Sequence, residues 1–99
     1  MQLIYQPTIN READTPLWLQ LKSILQGQIQ SGELLPDSRL YSEHELCRMY
    51  GVSRSVVREA LSELVNDRYI YRIQGKGTFI SGRKEEQDYA GQISVFPAK

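Results

Sequence analysis

The hydrophobic positions in the first third of the chain follow helical spacing. Leucine and isoleucine recur at the three- and four-residue intervals of one helix face, at Leu17, Leu21, Ile24, Leu25 and Ile29. We expect this helix to begin near Thr15, with Thr15 as the N-cap and Pro16 in the first helical position. Gly32, which can adopt the left-handed conformation of a C-cap, marks its end.

Two further helices are predicted between residues 42 and 68. Ser42 and Glu45 have the spacing of a capping box, in which each side chain bonds the backbone N–H of the other residue. Gly51 ends this helix after about two turns. Ser53 is the expected N-cap of the next helix, which should end around 66–68. Its apolar face consists of Val57, Ala60, Leu61, Leu64 and Val65.

The pattern then changes to that of strands. Residues 69–73 and 78–81 are rich in aromatic and branched side chains, and the residues between them, 74–77, form a glycine-containing hairpin turn. A short extended piece is expected at 39–41, after the turn signal at 36–38. The predicted fold is mainly α with a small β-hairpin, a three-helix core plus a two-stranded wing.

The second and third helices have the spacing of a helix-turn-helix. The small residue Cys47, the turn residue Gly51 and the branched core residue Val57 allow two helices to pack closely at a steep angle. In this motif the second helix enters a DNA major groove with its N-terminal turn leading. With the hairpin, the arrangement is a winged helix-turn-helix, predicted over residues 15–82 between an N-terminal arm at 1–14 and a linker at 83–99.

The leading turn of the third helix carries side chains suited to DNA. Arg54 and Arg58 can form bidentate bonds with guanine or pair with phosphate, while Ser53 and Ser55 suit phosphate. Val56 is expected to lie off the apolar face, where it can touch a thymine methyl group. We expect Glu59, one turn beyond Ser55, to orient a neighbouring arginine rather than to accept a hydrogen bond from cytosine.

The hairpin tip carries a cation between two glycines. Lys76 lies between Gly75 and Gly77, so this loop can approach a nucleic-acid backbone closely, as a minor-groove or phosphate probe requires. Arg72 precedes the tip and fits two interpretations equally well, a phosphate contact or a charge on the face of the sheet.

The charge is uneven along the chain. The 99 residues contain 12 basic and 12 acidic side chains, but residues 42–83 carry seven basic against five acidic groups. Net neutrality therefore does not argue against a nucleic-acid partner, since clustering of positive charge on one face is the relevant feature.

The composition excludes most other classes of function. With one cysteine and one histidine there is no basis for a disulfide, a metal site or a catalytic acid–base set, so neither a cofactor nor enzymatic activity is expected. No apolar stretch is long enough for a membrane span, and no signal peptide is recognisable at the N-terminus, so no membrane partner and a cytoplasmic location are expected.

Three blocks of the sequence resemble the GntR-type bacterial transcription regulators, and among them the HutC-like group. The blocks are SEHEL, GVSRSVVREAL and QGKGTFI, and the resemblance extends from about residue 15 to residue 81. It implies a DNA-binding domain with these contact positions: His44, Ser53, Arg54, Ser55, Val56, Arg58, Gln74, Gly75, Lys76, Gly77 and Thr78.

The resemblance also implies partners. Regulators of this type act as homodimers on a palindromic operator in double-stranded DNA, commonly as repressors released by a small-molecule effector. The effector is bound by a separate C-terminal domain, which the residues after the wing are too few to form. We therefore expect this chain to be either an excised DNA-binding domain, which its ending within a β-like stretch favours, or an unusual stand-alone protein. The alternative is a winged helix used as a protein–protein interaction module, because one fold hosts unrelated functions.

The chain departs from the family pattern at several positions. Asp37 and Arg68 stand where the family usually has glycine, and Tyr41 stands where it usually has proline. His44 occupies a position that is commonly arginine, which makes a DNA contact there weaker and sensitive to pH.

Overall fold

The three helices and the hairpin follow one another along the chain. A computed structural model describes residues 8–82, so the expectations for residues 1–7 and for the linker at 83–99 lie outside the described residues. The elements are α1 (Leu17–Ser31), α2 (Glu43–Tyr50), α3 (Arg54–Asn66), β1 (Ile70–Ile73) and β2 (Gly77–Ile80). This confirms the predicted winged helix-turn-helix.

The start of α1 differs from the prediction. Its N-cap is Pro16 rather than Thr15, and no side chain caps it. The Pro16 carbonyl accepts hydrogen bonds from the N–H groups of Leu19 and Gln20, both at 3.1 Å. The Thr15 carbonyl instead accepts a bond from the side-chain Nε2 of Gln20 at 2.8 Å. The prediction of Thr15 as the cap was wrong because a side chain one turn into the helix holds this residue outside it.

The starts of α2 and α3 follow the prediction closely. The capping box of Ser42 and Glu45 is complete, and the side chain of Ser53 accepts a bond from the Val56 N–H. Gly51 ends α2 in the left-handed conformation, with φ at 66°. A residue with a Cβ pays a steric cost in this conformation, so glycine suits the sharp turn that separates the two helices.

The core lies where the three helices meet the base of the wing. The largest fully buried side chains are Leu21, Leu25, Leu46, Val57, Leu64, Ile70 and Ile80. Each contributes about 1.5–3 kcal/mol through removal of apolar surface from water. Cys47 packs at the edge of this cluster, as the helix-turn-helix spacing predicts. Among the helices of residues 8–82, none is both long and apolar enough to cross a membrane.

A third extended segment joins the wing to the body. β1 and β2 pair antiparallel, with Ile70 opposite Ile80 and Ile73 opposite Gly77. Arg39 forms an isolated antiparallel bridge with Phe79, which confirms the extended piece expected at 39–41. The chain before α2 therefore lies along the outer edge of β2 and fixes the position of the wing.

Arg68 completes the end of α3 in a left-handed conformation. Its φ is 67°, and its N–H donates to the Val65 carbonyl at 3.0 Å, while the Tyr69 N–H donates to the Leu64 carbonyl at 2.9 Å. These two bonds form a Schellman motif, in which glycine usually occupies the position of Arg68. The turn therefore keeps the geometry that glycine provides, at a steric cost of about 1–2 kcal/mol for a residue with a Cβ.

Asp37 is the other non-glycine residue with positive φ in the described part of the chain. Its φ is 64°, and its N–H donates to the Ile80 carbonyl at 2.7 Å. Its carboxylate accepts a bond from the Tyr71 hydroxyl at 2.9 Å. This bond raises the pKa of Tyr71 above its ordinary value, because the adjacent carboxylate disfavours the phenolate. Aspartate thus adds a contact with the wing that glycine could not make.

Candidate nucleic-acid interface

The first turn of α3 presents polar side chains to solvent. Ser53 accepts a hydrogen bond from the Val56 N–H at 3.3 Å, and its hydroxyl lies 3.0 Å from that of Ser55. Arg54 and Ser55 are exposed, as the sequence predicts for residues at the leading end of a recognition helix. The N-cap thus fixes the direction of the helix and leaves these side chains free to approach a ligand.

Val56 occupies a different position from the one predicted. It is half-buried and packs against the core, so the expectation that it lies off the apolar face was wrong in part. Val56 is next to the buried Val57 and one helical turn before the buried Ala60, so its side chain lies at the edge of the buried face of α3. Only part of the Val56 side chain is available to a thymine methyl group.

A single carboxylate joins the two arginines of the recognition helix. Oε1 of Glu43 lies 3.1 Å from Nε of Arg58 and 3.5 Å from Nη2 of Arg54. The Arg54 and Arg58 side chains remain 67% and 59% exposed. Glu43 therefore holds both guanidinium groups near the first turns of α3 without covering them, and most of each side chain remains accessible to a ligand.

The orienting role expected for Glu59 was thus assigned to the wrong residue. Among residues 8–82, no arginine or lysine lies within 4 Å of the Glu59 carboxylate, whereas Glu43 contacts two arginines. Glu43 is 15 residues from Arg58 in the sequence, so no periodicity within one helix identifies it. The sequence signal for this contact is the position of Glu43 in the first turn of α2. The steep crossing of the two helices of a helix-turn-helix brings that turn close to α3.

The first turn of α2 lies beside this arginine pair. The Ser42 hydroxyl accepts a bond from the Glu45 N–H at 3.0 Å, and the Ser42 N–H donates to Oε1 of Glu45 at 2.8 Å. The bond from the Ser42 N–H lowers the pKa of the Glu45 carboxyl group, because it stabilises the ionised form. His44 is exposed next to this cap, where its side chain can reach a ligand in front of α2.

The wing tip is a three-residue loop that projects from the hairpin. The Lys76 N–H donates to the Ile73 carbonyl at 2.9 Å and closes a turn in which Gly75 has φ of 80°. Positive φ at this place in a turn favours glycine. Gln74, Gly75 and Lys76 are exposed, so the cation between two glycines lies at the end of the wing, as the sequence predicts.

Arg39, in the extended segment before α2, makes a contact with the wing that the sequence does not predict. A Cβ placed on Gly77 would lie only 3.0 Å from Nε of Arg39 and 3.5 Å from its Nη2. The guanidinium group therefore packs directly on the backbone of Gly77, whose φ of 127° also favours glycine. The signal for this contact is Gly77 itself, because a glycine within a strand often marks close approach by another group.

One groove connects the wing with the start of α2. It has a volume of about 180 Å³, and the residues around it are Arg39, Leu40, Tyr41, Ser42, Glu43, Leu61, Arg72, Gly77 and Thr78. Glu43 lies both on this groove and against the arginines of α3. Glu43 therefore connects Arg54 and Arg58 of α3 with the groove that Arg72, Gly77 and Thr78 line, while the predicted residues 74–76 do not line this groove.

The chemistry of this surface is that of an anion-binding face. Arg39, Arg72 and Lys76 have no carboxylate within 4 Å among residues 8–82, and Arg54 and Arg58 share one. In the same part of the chain, no three His, Cys, Asp or Glu side chains converge to hold a metal ion. The surface can bind phosphate through its cations and read bases through the exposed arginines of α3.

Comparisons with known proteins identify the family. Residues 17–80 match the family described as bacterial regulatory proteins, gntR family. The chain is 45% identical over 86 residues to the HTH-type transcriptional repressor NagR of Bacillus subtilis, covering 87% of this chain and 35% of that protein. It is 41% identical over 85 residues to the histidine utilization repressor of Pseudomonas aeruginosa, covering 86% and 32%.

A solved structure agrees with the same assignment. The DNA-binding domain of AraR in complex with operator ORE1 superposes with a TM-score of 0.67 at 33% identity, covering 82% of this chain and 99% of that one. The chain spans about a third of the length of the two curated repressors. These relatives are transcription regulators and not enzymes, in agreement with the sequence prediction. This chain therefore belongs to the GntR family of bacterial regulatory proteins.

Proposed function

We propose that this chain reads one half-site of an operator in double-stranded DNA as the DNA-binding domain of a transcriptional repressor. The observation that carries this proposal is the arginine pair of α3. Arg54 and Arg58 lie one turn apart at the leading end of the helix, and both are held by Glu43 while they remain more than half exposed. A helix with oriented guanidinium groups at its start is suited to bidentate recognition of guanine in the major groove.

The wing and the start of α2 supply contacts of a different kind. Lys76 projects on a glycine loop towards a phosphate or the minor groove, and Arg72 and Thr78 line the groove behind it. His44 and Ser42 lie at the first turn of α2, where a helix-turn-helix passes the sugar–phosphate backbone. These contacts fix the register of the domain on the duplex, and the arginines of α3 discriminate between sequences.

The complete regulator is proposed to be a homodimer on a palindromic site. Each domain reads one half-site, and two half-sites must lie about one helical turn apart for a two-fold dimer. The named relatives are repressors, and the matched part of this chain covers about a third of their length. We infer that a C-terminal domain binds the small-molecule effector and provides most of the dimer contact, and that the regulator acts on genomic DNA in the cytoplasm.

Selection from random duplexes tests the function directly. The 99-residue chain is incubated with a pool of random double-stranded oligonucleotides, and bound duplexes are amplified and sequenced over several rounds. We expect a short enriched half-site, bound more tightly than a scrambled duplex and with affinity that falls steeply with salt. A folded chain that enriches no sequence and shows no salt-dependent binding would contradict the proposal and favour a protein-interaction module.

A further inference from the structure

The segment before α1 carries a cation that the proposed interface does not include. From its position, we propose that Arg11 binds a DNA phosphate at the side of the helix-turn-helix opposite the wing. This inference rests on the proposed DNA-binding function and adds a contact from outside the three helices and the hairpin. Arg11 lies in the N-terminal arm predicted at residues 1–14.

The structure fixes this part of the arm against α1. The Asn10 N–H donates to Oε1 of Gln20 at 2.7 Å, and Nε2 of Gln20 donates to the carbonyls of Asn10 and Thr15 at 2.9 and 2.8 Å. Ile9 packs against the core. Arg11 is therefore attached to a loop with a defined path, whose two ends are bonded to the same side chain of α1.

The guanidinium group of Arg11 lies at the turn of the helix-turn-helix. A Cβ placed on Gly51 would lie 3.7 Å from Nη2 of Arg11, which is van der Waals contact. Gly51 ends α2, and Ser53 begins α3 two residues later. The cation, though distant in the sequence, is thus close in space to the turn that leads into the recognition helix.

Arg11 forms no ion pair among the residues that the structure describes. Within residues 8–82 no carboxylate lies within 4 Å of its guanidinium group, and the residue is exposed. This distinguishes it from Arg54 and Arg58, which share Glu43, and from Lys22, whose Nζ lies 2.8 Å from the Asp67 carboxylate. An exposed cation on a held loop, with no ion pair within residues 8–82, is available to an external anion.

The geometry of a major groove indicates which anion this is. A helix that enters the groove, about 12 Å wide, has a phosphate backbone on each side. The wing follows the C-terminal end of α3 and contacts the phosphate backbone on one side of the groove. The turn at Gly51 instead precedes α3. Arg11 over this turn is placed to contact the backbone on the other side, where it adds affinity without reading sequence.

Salt-dependent titration separates this role from a structural one. The wild-type chain, Arg11→Ala and Arg11→Lys are titrated with the selected half-site and with a scrambled duplex at several salt concentrations. We expect Arg11→Ala to reduce the slope of log affinity against log salt by about 0.9 on both duplexes, the value for one phosphate contact. Arg11→Lys should keep the slope, because the charge remains.

Arg68→Gly is the matched control. It removes one positive charge at the C-terminal end of α3, about 20 Å at 1.5 Å per residue from the leading turn that Arg11 adjoins. We expect its slope to equal that of the wild type. An unchanged slope for folded Arg11→Ala, or a loss of affinity confined to the selected half-site, would overturn the proposed phosphate contact of Arg11. Neither result would contradict the proposed DNA-binding function. Wild-type chain without salt-dependent duplex binding would overturn the proposed function as well.

Discussion

The recognition helix and the wing present their positive charges in different ways. In α3, Arg54 and Arg58 are both anchored to the carboxylate of Glu43 on the neighbouring helix. On the wing, Arg72 and Lys76 have no carboxylate within 4 Å among the described residues, and the tip is a turn containing glycine. One region therefore carries oriented and partly neutralised cations, and the other carries unneutralised ones.

This difference corresponds to two tasks in DNA recognition. A base edge is read by a guanidinium group in a defined orientation, so an internal carboxylate that limits its freedom favours discrimination. A phosphate needs only a nearby positive charge, and an unpaired lysine on a glycine loop supplies it with little geometric demand. The structure thus predicts that changes in α3 affect specificity and changes in the wing affect affinity for any duplex.

The largest expected effect is the loss of an arginine from α3. Arg54→Ala and Arg58→Ala should each weaken binding to the selected half-site by about 1–3 kcal/mol, with a much smaller loss on a scrambled duplex. Both side chains are exposed, so circular dichroism and thermal unfolding should show an intact fold. Folded variants that bind the half-site as tightly as the wild type would contradict the proposed role of α3 in recognising the half-site.

The wing variant Lys76→Ala should lose affinity without losing discrimination. Removing one phosphate contact lowers the slope of log affinity against log salt by about one unit and weakens both duplexes by the same factor. Titrations of the half-site and the scrambled duplex across a salt series measure this, with Lys76→Arg as the charge-preserving control. An effect confined to one operator position would instead make Lys76 a base-reading residue.

Glu43→Gln should reduce the preference for the half-site by removing the carboxylate that Arg54 and Arg58 share. Without the charge, Arg54 and Arg58 lose their common anchor and the surface becomes more positive. We expect binding to the scrambled duplex to increase by a few-fold while the preference for the half-site decreases. Stability should change by less than about 1 kcal/mol, since exposed ion pairs contribute little.

Glu59→Gln provides the matched control for this variant. It removes the same charge from α3 at a position where no cation lies within 4 Å among residues 8–82. The control should raise affinity for both duplexes and leave their ratio unchanged. If Glu43→Gln and Glu59→Gln alter the ratio equally, anchoring of the arginines has no part in specificity.

The smallest effect on binding is expected where α3 meets the wing. Glycine at position 68 removes the cost of the left-handed conformation, about 1–2 kcal/mol, but increases the freedom of the unfolded chain by about 0.4–1 kcal/mol. Arg68→Gly should therefore stabilise the domain by about 1 kcal/mol or less, measured as a higher urea midpoint. Its affinity for DNA should match wild type, and a clear loss would place Arg68 in the interface.

The sequence predicts those features that depend on neighbouring residues. Ser42 with Glu45, Gly51 and Ser53 each act within four residues, and these signals located α2 and α3 correctly. The glycines of the wing located the hairpin for the same reason. A local preference for one backbone conformation is a property of a short segment, so it can be predicted from the sequence without knowledge of the fold.

The features that the sequence missed depend on contacts between distant segments. Glu43 meets Arg58 across 15 residues, and Arg39 packs on Gly77 across 38. The observed start of α1 is one residue later than predicted, because the Gln20 side chain donates a hydrogen bond to the Thr15 carbonyl. Each of these contacts is determined by how the helices and the wing pack, which the periodicity of a single element does not contain.

Mapping the DNA-contacting residues in solution tests the central claim most directly. The amide and arginine side-chain resonances of the isotopically labelled chain are followed by NMR during titration with the selected half-site. The proposed interface predicts the largest shift changes at residues 53–58 and 74–78, and little change at Lys22 or Arg68. Changes centred instead on exposed apolar residues such as Leu35 and Met49, with 53–58 unaffected, would contradict recognition of DNA by α3 and the wing.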